Sequence, residues 1–149
     1  MNHYETYKSI INSNYFLLLK EKVAQKIKQR NLHGVLNDAK WVSLFVEFSQ
    51  WKMPPCFDYK SILVDEKLLI AKEPPTYLCY WDNLSLDEYF IPYIEIEQMI
   101  IYGCHGKYVG RLVPLEITNQ SDKVREVLDR LNIPYSEESD GVFLILGYT

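Results

Sequence analysis

The sequence predicts an α+β fold, an antiparallel sheet with two N-terminal helices and one late helix packed on it. Apolar residues recur at helical spacing near the N-terminus and again after residue 120. Most other segments are short runs rich in β-branched and aromatic residues, separated by turn residues, as in antiparallel strands. The chain has 149 residues, 48% of them hydrophobic, and no visible repeat or linker, so one domain over residues 1–149 is expected.

Two amphipathic helices are predicted before the paired prolines. The first follows a cap at Ser13, and its apolar face consists of Phe16, Leu19, Val23 and Ile27. A break at residues 31–34 separates it from a second helix, which Asn37 or Asp38 can cap. The apolar stripe of the second helix consists of Trp41, Leu44, Phe45, Phe48 and Trp51. Pro54 and Pro55 end it, because the residue before a proline disfavours helical backbone.

Two hairpins are predicted in the middle of the chain. Residues 57–64 and 67–71 are expected to pair around Asp65 and Glu66. Residues 94–102 and 107–117 are expected to pair around a turn formed by Gly103, Cys104, His105 and Gly106. Between the hairpins, a further strand is predicted at 76–81 and a loop at 82–89.

A third helix and a final hairpin complete the prediction. Ser121 is the candidate cap of the helix, and the apolar positions that follow at helical spacing are Val124, Val127, Leu128 and Leu131. Residues 135–138 and 142–148 form the hairpin, with a turn at 139–141. Its second strand is apolar enough to lie in the middle of the sheet.

Charge argues against a protein that binds nucleic acid through a global positive field. The formal net charge is −4, with +4 over residues 1–53 and −8 over residues 54–149. The basic first helix carries five cations between residues 20 and 30, so local phosphate binding is an alternative that the acidic remainder disfavours. Three cysteines at wide spacing are typical of free thiols, so a cytoplasmic location is expected, with no export signal and no membrane segment.

No catalytic or metal motif stands out. Cys104 and His105 are adjacent, and neighbouring residues point in different directions, which disfavours a Cys–His pair. No Cys-x-x-Cys or phosphate-binding loop occurs, so neither a metal nor another cofactor is expected, and an enzyme is not favoured. Glu95 and Glu97 are predicted to share the solvated face of a strand, rather than to act as a general acid and base.

Aromatic residues and acids crowd one segment. Its members are Tyr77, Tyr80, Trp81, Asp82, Asp87, Glu88, Tyr89, Phe90 and Tyr93. Aromatic anchors beside acids suit contact with a basic protein surface. The alternative is a loop whose rings fold back onto the sheet.

Three segments carry a family resemblance, NDAKWVSLF at 37–45, IPYIEIEQMIIY at 91–102 and LDRLNIPYSEESDGVFLILGY at 128–148. Their K-W-x-x-L-F, P-Y-x-x-I-E and I-P-[FY]…G-Y patterns resemble an uncharacterised family of small bacterial proteins. The first pattern matches Lys40, Trp41, Leu44 and Phe45, and the second matches Pro92, Tyr93, Ile96 and Glu97. The resemblance implies the helix, sheet, helix and strand order above, but no activity.

In size and acidity the chain is also similar to immunity proteins of bacterial polymorphic toxin and contact-dependent inhibition systems. That similarity implies a basic cognate toxin domain as partner, such as a nuclease, and inhibition by covering its active site. The partner-binding residues it suggests are Asp82, Asp87, Glu88 and Tyr89 in one loop and Glu137, Glu138 and Asp140 near the last turn. A small ligand-binding or enzymatic domain is the alternative, and a homodimer is left open.

Overall fold

A computed structural model describes residues 14–77, 79, 81 and 92–149. Its helices are α1 (Asn14–Arg30), α2 (Asp38–Ser49) and α3 (Ser121–Arg130). Its strands are β1 (Cys56–Ser61), β2 (Ile96–Tyr102), β3 (Cys104–Lys107), β4 (Glu116–Asn119), β5 (Ser136–Ser139) and β6 (Val142–Leu146), and a 3-10 turn spans Tyr93–Glu95. Two helices precede the antiparallel strands and one follows later, so the predicted α+β class is confirmed.

The two N-terminal helices form where the spacing predicts them, except that α2 ends at Ser49, before Trp51 and the paired prolines. Phe16, Leu19 and Val23 are the buried residues of α1. The helix ends before Asn31, whose positive φ of 52° takes the backbone out of the helical path. Asn37 caps α2, because its side-chain oxygen accepts a hydrogen bond from the Lys40 backbone N–H at 2.9 Å.

The core lies between one face of a four-stranded sheet and helices α2 and α3. The strand order is β1-β2-β6-β5, so the apolar strand β6 lies inside the sheet, as predicted. Met99 and Ile101 of β2 and Phe143 of β6 pack in one cluster with α2 and α3. Helix α1 packs elsewhere, in a smaller cluster around Ile62, beyond the end of β1.

The predicted hairpin around Asp65 and Glu66 is wrong. Strand β1 pairs instead with β2, from Cys56 opposite Tyr102 to Ser61 opposite Ile96, and residues 67–71 are not in a strand. The physical reason is competition, because a neighbouring β2 strand offers many more apolar contacts than a short local return strand. Residues 76, 77, 79 and 81 are also outside any strand, and the predicted loop at 82–89 lies outside the described residues.

The predicted hairpin around Gly103–Gly106 is also wrong. Both flanks of β2 are occupied, by β1 and β6, so no edge is free for residues 107–117. Strand β3 instead pairs with β4 in a separate two-stranded sheet. We call residues 104–119 the arm; Gly103 joins it to β2, donating to the Gly141 carbonyl and accepting from the Gln120 N–H, each at 2.7 Å.

The late helix and final hairpin follow the prediction with one shift. Ser121 is the first residue of α3 rather than its cap, and Gln120 occupies the cap position. The Ser121 N–H donates to the Asn119 side chain at 2.9 Å. Strands β5 and β6 pair through a turn in which Gly141 has a φ of 77°, a left-handed conformation that favours glycine.

Candidate functional site

The end of the arm exposes a group of apolar side chains. Residues 108–113, here called the arm tip, include Tyr108, Val109, Leu112 and Val113. Leu112 is 97% exposed and Tyr108 is 68% exposed. Leu112 also has a positive φ of 62°, a conformation that side chains larger than glycine rarely adopt. Clustered exposed apolar side chains are typical of contact surfaces, whereas isolated ones are ordinary.

The second half of the predicted partner-binding set lies on the β5–β6 hairpin. Glu137 and Glu138 are on strand β5, and Asp140 is in the turn that follows. All three residues are exposed. Glu138 accepts a hydrogen bond from Ser136 at 2.7 Å, and Glu137 accepts one from Arg125 of α3 at 2.7 Å. The other predicted members, Asp82, Asp87, Glu88 and Tyr89, lie outside the described residues.

The arm and the acidic hairpin belong to the same end of the sheet. Gly103, at the base of the arm, donates to the Gly141 carbonyl of the hairpin turn. Asn119 and Ser121 line a cavity of about 420 Å³ together with Asp140. The base of the arm and the acids of the hairpin are therefore neighbours.

Acids outnumber cations along α3 and strand β5, up to the turn that follows it. Residues 121–140 hold six acids and three cations. Arg125 bridges Asp122 and Glu137, each at 2.7 Å, and the hydrogen bond to Glu137 is the main cause that raises the pKa of Arg125. Arg125 also lies over the Phe143 ring, 5.6 Å from its centroid. The bridge orients the acidic hairpin against α3, while Glu138 and Asp140 have no ion pair within the described residues.

Strand β1 carries a second group of interacting polar side chains. Asp58 accepts hydrogen bonds from Tyr102 at 3.0 Å and Tyr77 at 3.2 Å. Burial raises the pKa of both tyrosines. Nearby, the Cys56 thiol donates to the Tyr77 carbonyl at 2.9 Å, and Cys79 accepts from the Phe57 N–H at 3.4 Å. These bonds fasten the segment around residue 77 to the sheet.

The two thiols on this edge differ in acidity. A hydrogen bond with Cys56 lowers the pKa of Cys79. The same bond, together with burial, raises the pKa of Cys56. Cys79 is therefore the more acidic thiol of the two, and it is also the less buried.

Sequence reasoning missed one polar cluster completely. Glu97 is only 3% exposed, contrary to the solvated face predicted for it. Its carboxylate is ion-paired with Lys60 on one oxygen and Arg30 on the other. Glu95 instead accepts a hydrogen bond from Ser61 at 2.7 Å. The pairing of β1 with β2 brings Lys60 next to Glu97, and no local pattern in the sequence signals that pairing.

In the described part of the chain, Cys104 and His105 are not arranged as a catalytic site. Cys104 lies 4.0 Å from the Ser121 hydroxyl, and His105 Nε2 is buried without a hydrogen-bond partner. Cys104 and His105 lie in strand β3 rather than in the predicted turn. Over residues 14–77, 79, 81 and 92–149, no three His, Cys, Asp or Glu side chains converge as metal ligands.

A family of unknown function, DUF6678, matches residues 23–149. The chain belongs to this family. Neither a curated protein nor a solved structure matches the chain. None of the helices in the described segments is both long and apolar enough to cross a bilayer.

Proposed function

We propose that the chain is an immunity-type protein that binds a cognate bacterial toxin domain and neutralises it by covering its active site. The observation that carries the proposal is the arm tip, which exposes apolar side chains on an arm whose base adjoins an acidic hairpin. Apolar surface in water is unfavourable by about 25 cal/mol per Å², so a partner that covers the tip gains that free energy. An anchor of this kind supplies affinity, and nearby charges select the partner.

Charge indicates the chemistry of the partner. The net charge over residues 54–149 is −8, and Glu138 and Asp140 are free of ion pairs within the described segments. A toxin nuclease needs a positive groove for phosphate, and acids steer association with such a groove. Binding there would block the substrate without any chemistry by this chain. We place this binding in the cytoplasm, since all three cysteines are free thiols.

The test compares two substitutions of exposed leucines. Leu112→Asp places a charge on the arm tip, and Leu69→Asp places the same charge on a leucine that is 80% exposed outside the arm. Each variant and the wild type are mixed with purified basic nuclease toxin domains, and nuclease activity and Kd are measured. We expect the wild type and Leu69→Asp to inhibit one toxin at a stoichiometry of one to one. Leu112→Asp should bind at least about tenfold more weakly, the loss typical of a contact anchor.

Two results would contradict the proposal. One is equal inhibition by both variants, which would remove the arm tip from the interface. The other is self-association of the wild type, lost in Leu112→Asp, without inhibition of any toxin in the panel, which would assign the arm tip to a homodimer.

A further inference from the structure

A charged pocket lies at the opposite end of the sheet from the arm. Its volume is about 500 Å³, within the range of small-molecule sites. It is lined by Arg30, Lys60, Asp65, Lys67, Leu68, Glu97 and Gln98. Lys60 is opposite Gln98 where β1 and β2 pair, whereas the arm follows the other end of β2, where Cys56 is opposite Tyr102. The pocket is therefore separate from the surface proposed to bind a toxin.

The pocket holds more cations than are required to neutralise the buried carboxylate of Glu97. Glu97 is neutralised by Lys60, whose side chain is only 11% exposed, yet Arg30 also pairs with it from the rim of the pocket. Lys67 has neither an ion pair nor a hydrogen bond among the residues whose positions are described. A single ion pair is enough to neutralise Glu97. The need to neutralise that carboxylate therefore does not explain why Arg30 and Lys67 are also in the pocket.

Charge balance gives the class of ligand. Arg30, Lys60 and Lys67 carry three positive charges against the two carboxylates of Glu97 and Asp65. Asp65 is largely exposed and lies 3.8 Å from Lys26, which offsets its charge. Once Lys26 is counted with Asp65, the pocket and its rim have an excess of two positive charges, which a doubly charged anion would neutralise. Arginine and lysine side chains are the groups that bind phosphate oxygens in proteins.

We propose that this pocket binds the phosphate group of a small phosphate monoester. Lys67 and the donors of Arg30 that Glu97 leaves free contact the phosphate oxygens. Glu97 keeps the Lys60 and Arg30 side chains in place and sets the excess charge at two. The apolar side chain of Leu68, which also lines the pocket, contacts the rest of the ligand.

The test measures anion binding by titration calorimetry at constant ionic strength. The probes are glycerol 3-phosphate, inorganic phosphate and acetate. We expect both phosphates to bind and acetate, a single charge, to bind at least about tenfold more weakly, since charge-assisted hydrogen bonds dominate such sites. Thermal unfolding supplies a second readout, because a ligand of the native state raises Tm.

Charge reversal separates this pocket from general attraction of anions. Lys67→Glu removes an exposed cation of the pocket, and Lys52→Glu makes the same change beside a different cavity, at the end of α2. Lys67→Glu should raise the Kd for glycerol 3-phosphate by about tenfold or more, while Lys52→Glu leaves it within about twofold. Equal effects of the two variants would overturn the proposal, and so would the absence of heat and of any Tm increase at 10 mM phosphate. Toxin inhibition should not change in Lys67→Glu, so the two proposals fail separately.

Discussion

At the scale of single residues, Glu97 shows how much one buried carboxylate depends on its partners. The sequence places it among apolar neighbours, and alternation along a strand predicts a solvated side chain. The structure buries it between Lys60 and Arg30, because the polar residues of β1 and the end of α1 meet at that point. A buried charge that loses its partner costs far more than an exposed one.

We therefore expect Glu97→Gln to lower the free energy of unfolding by about 3 kcal/mol, because Lys60 is left buried without a full counter-charge. Urea denaturation at pH 7 measures the change. Glu66→Gln is the control, since Glu66 is exposed and has no ion pair within the described segments, and it should change the free energy of unfolding by less than about 0.5 kcal/mol. Equal urea midpoints for the two variants would contradict the role of Glu97 as a buried ion-pair partner.

At the scale of elements, the close approach of one strand end to another decides where a glycine can be replaced by a larger residue. Gly147 follows β6, and its N–H donates to the Glu97 carbonyl of β2 at 2.8 Å. A Cβ at Gly147 would collide with the carbonyl oxygen of Ile96. Gly34 forms an isolated bridge with Tyr148 but has open space where a Cβ would stand.

Gly147→Ala should therefore destabilise the protein by about 3 kcal/mol, because β6 must move away from β2 to admit the methyl group. Gly34→Ala, the matched control, should change the free energy of unfolding by less than about 1 kcal/mol. Thermal and urea unfolding of the two variants measure the difference. If Gly147→Ala were as stable as wild type, the close contact between Gly147 and Ile96 would be wrong.

At the scale of the whole molecule, the end of the chain ties distant segments together. The Tyr148 hydroxyl donates to the Ile94 carbonyl at 2.7 Å. His33 and Thr149 exchange backbone hydrogen bonds at 2.7 and 2.9 Å. The segment between α1 and α2 is therefore fixed to the last residues of the sheet. Burial raises the pKa of Tyr148 to about 12 from its ordinary value of 10.

This shift predicts a loss of stability at alkaline pH. Between pH 10 and 12 the unfolded chain releases the Tyr148 proton while the folded chain keeps it, so the free energy of unfolding falls as pH rises. The Tyr148→Phe variant has no hydroxyl at this position and therefore nothing to ionise. It should be less stable than wild type by about 1 kcal/mol at pH 7, for the lost hydrogen bond, and the difference should shrink above pH 10.

Urea unfolding at a series of pH values measures this difference, with Tyr108→Phe at the exposed arm tip as the control. The control should differ from wild type by less than about 0.5 kcal/mol at neutral pH. A difference between wild type and Tyr148→Phe that stays constant up to pH 12 would contradict the burial of the hydroxyl.

The sequence by itself determined the α+β class, the apolar faces of α1 and α2, a cap of α2 at Asn37 or Asp38, and the β5–β6 hairpin. These features depend on neighbours within a few residues, through helical spacing, capping and a turn glycine. It also placed Glu137, Glu138 and Asp140 near one turn, and the structure brings them together there.

Only the tertiary structure decided which strands pair. That pairing in turn decided where the arm and the charged pocket lie. Strand β1 has its partner β2 far along the chain, and β2 is enclosed by β1 and β6, which forces residues 104–119 into a separate arm. The same pairing brings Lys60 beside Glu97 and so forms the charged pocket. Strand pairing is a competition among all available edges, and its outcome depends on total apolar burial rather than on local pattern.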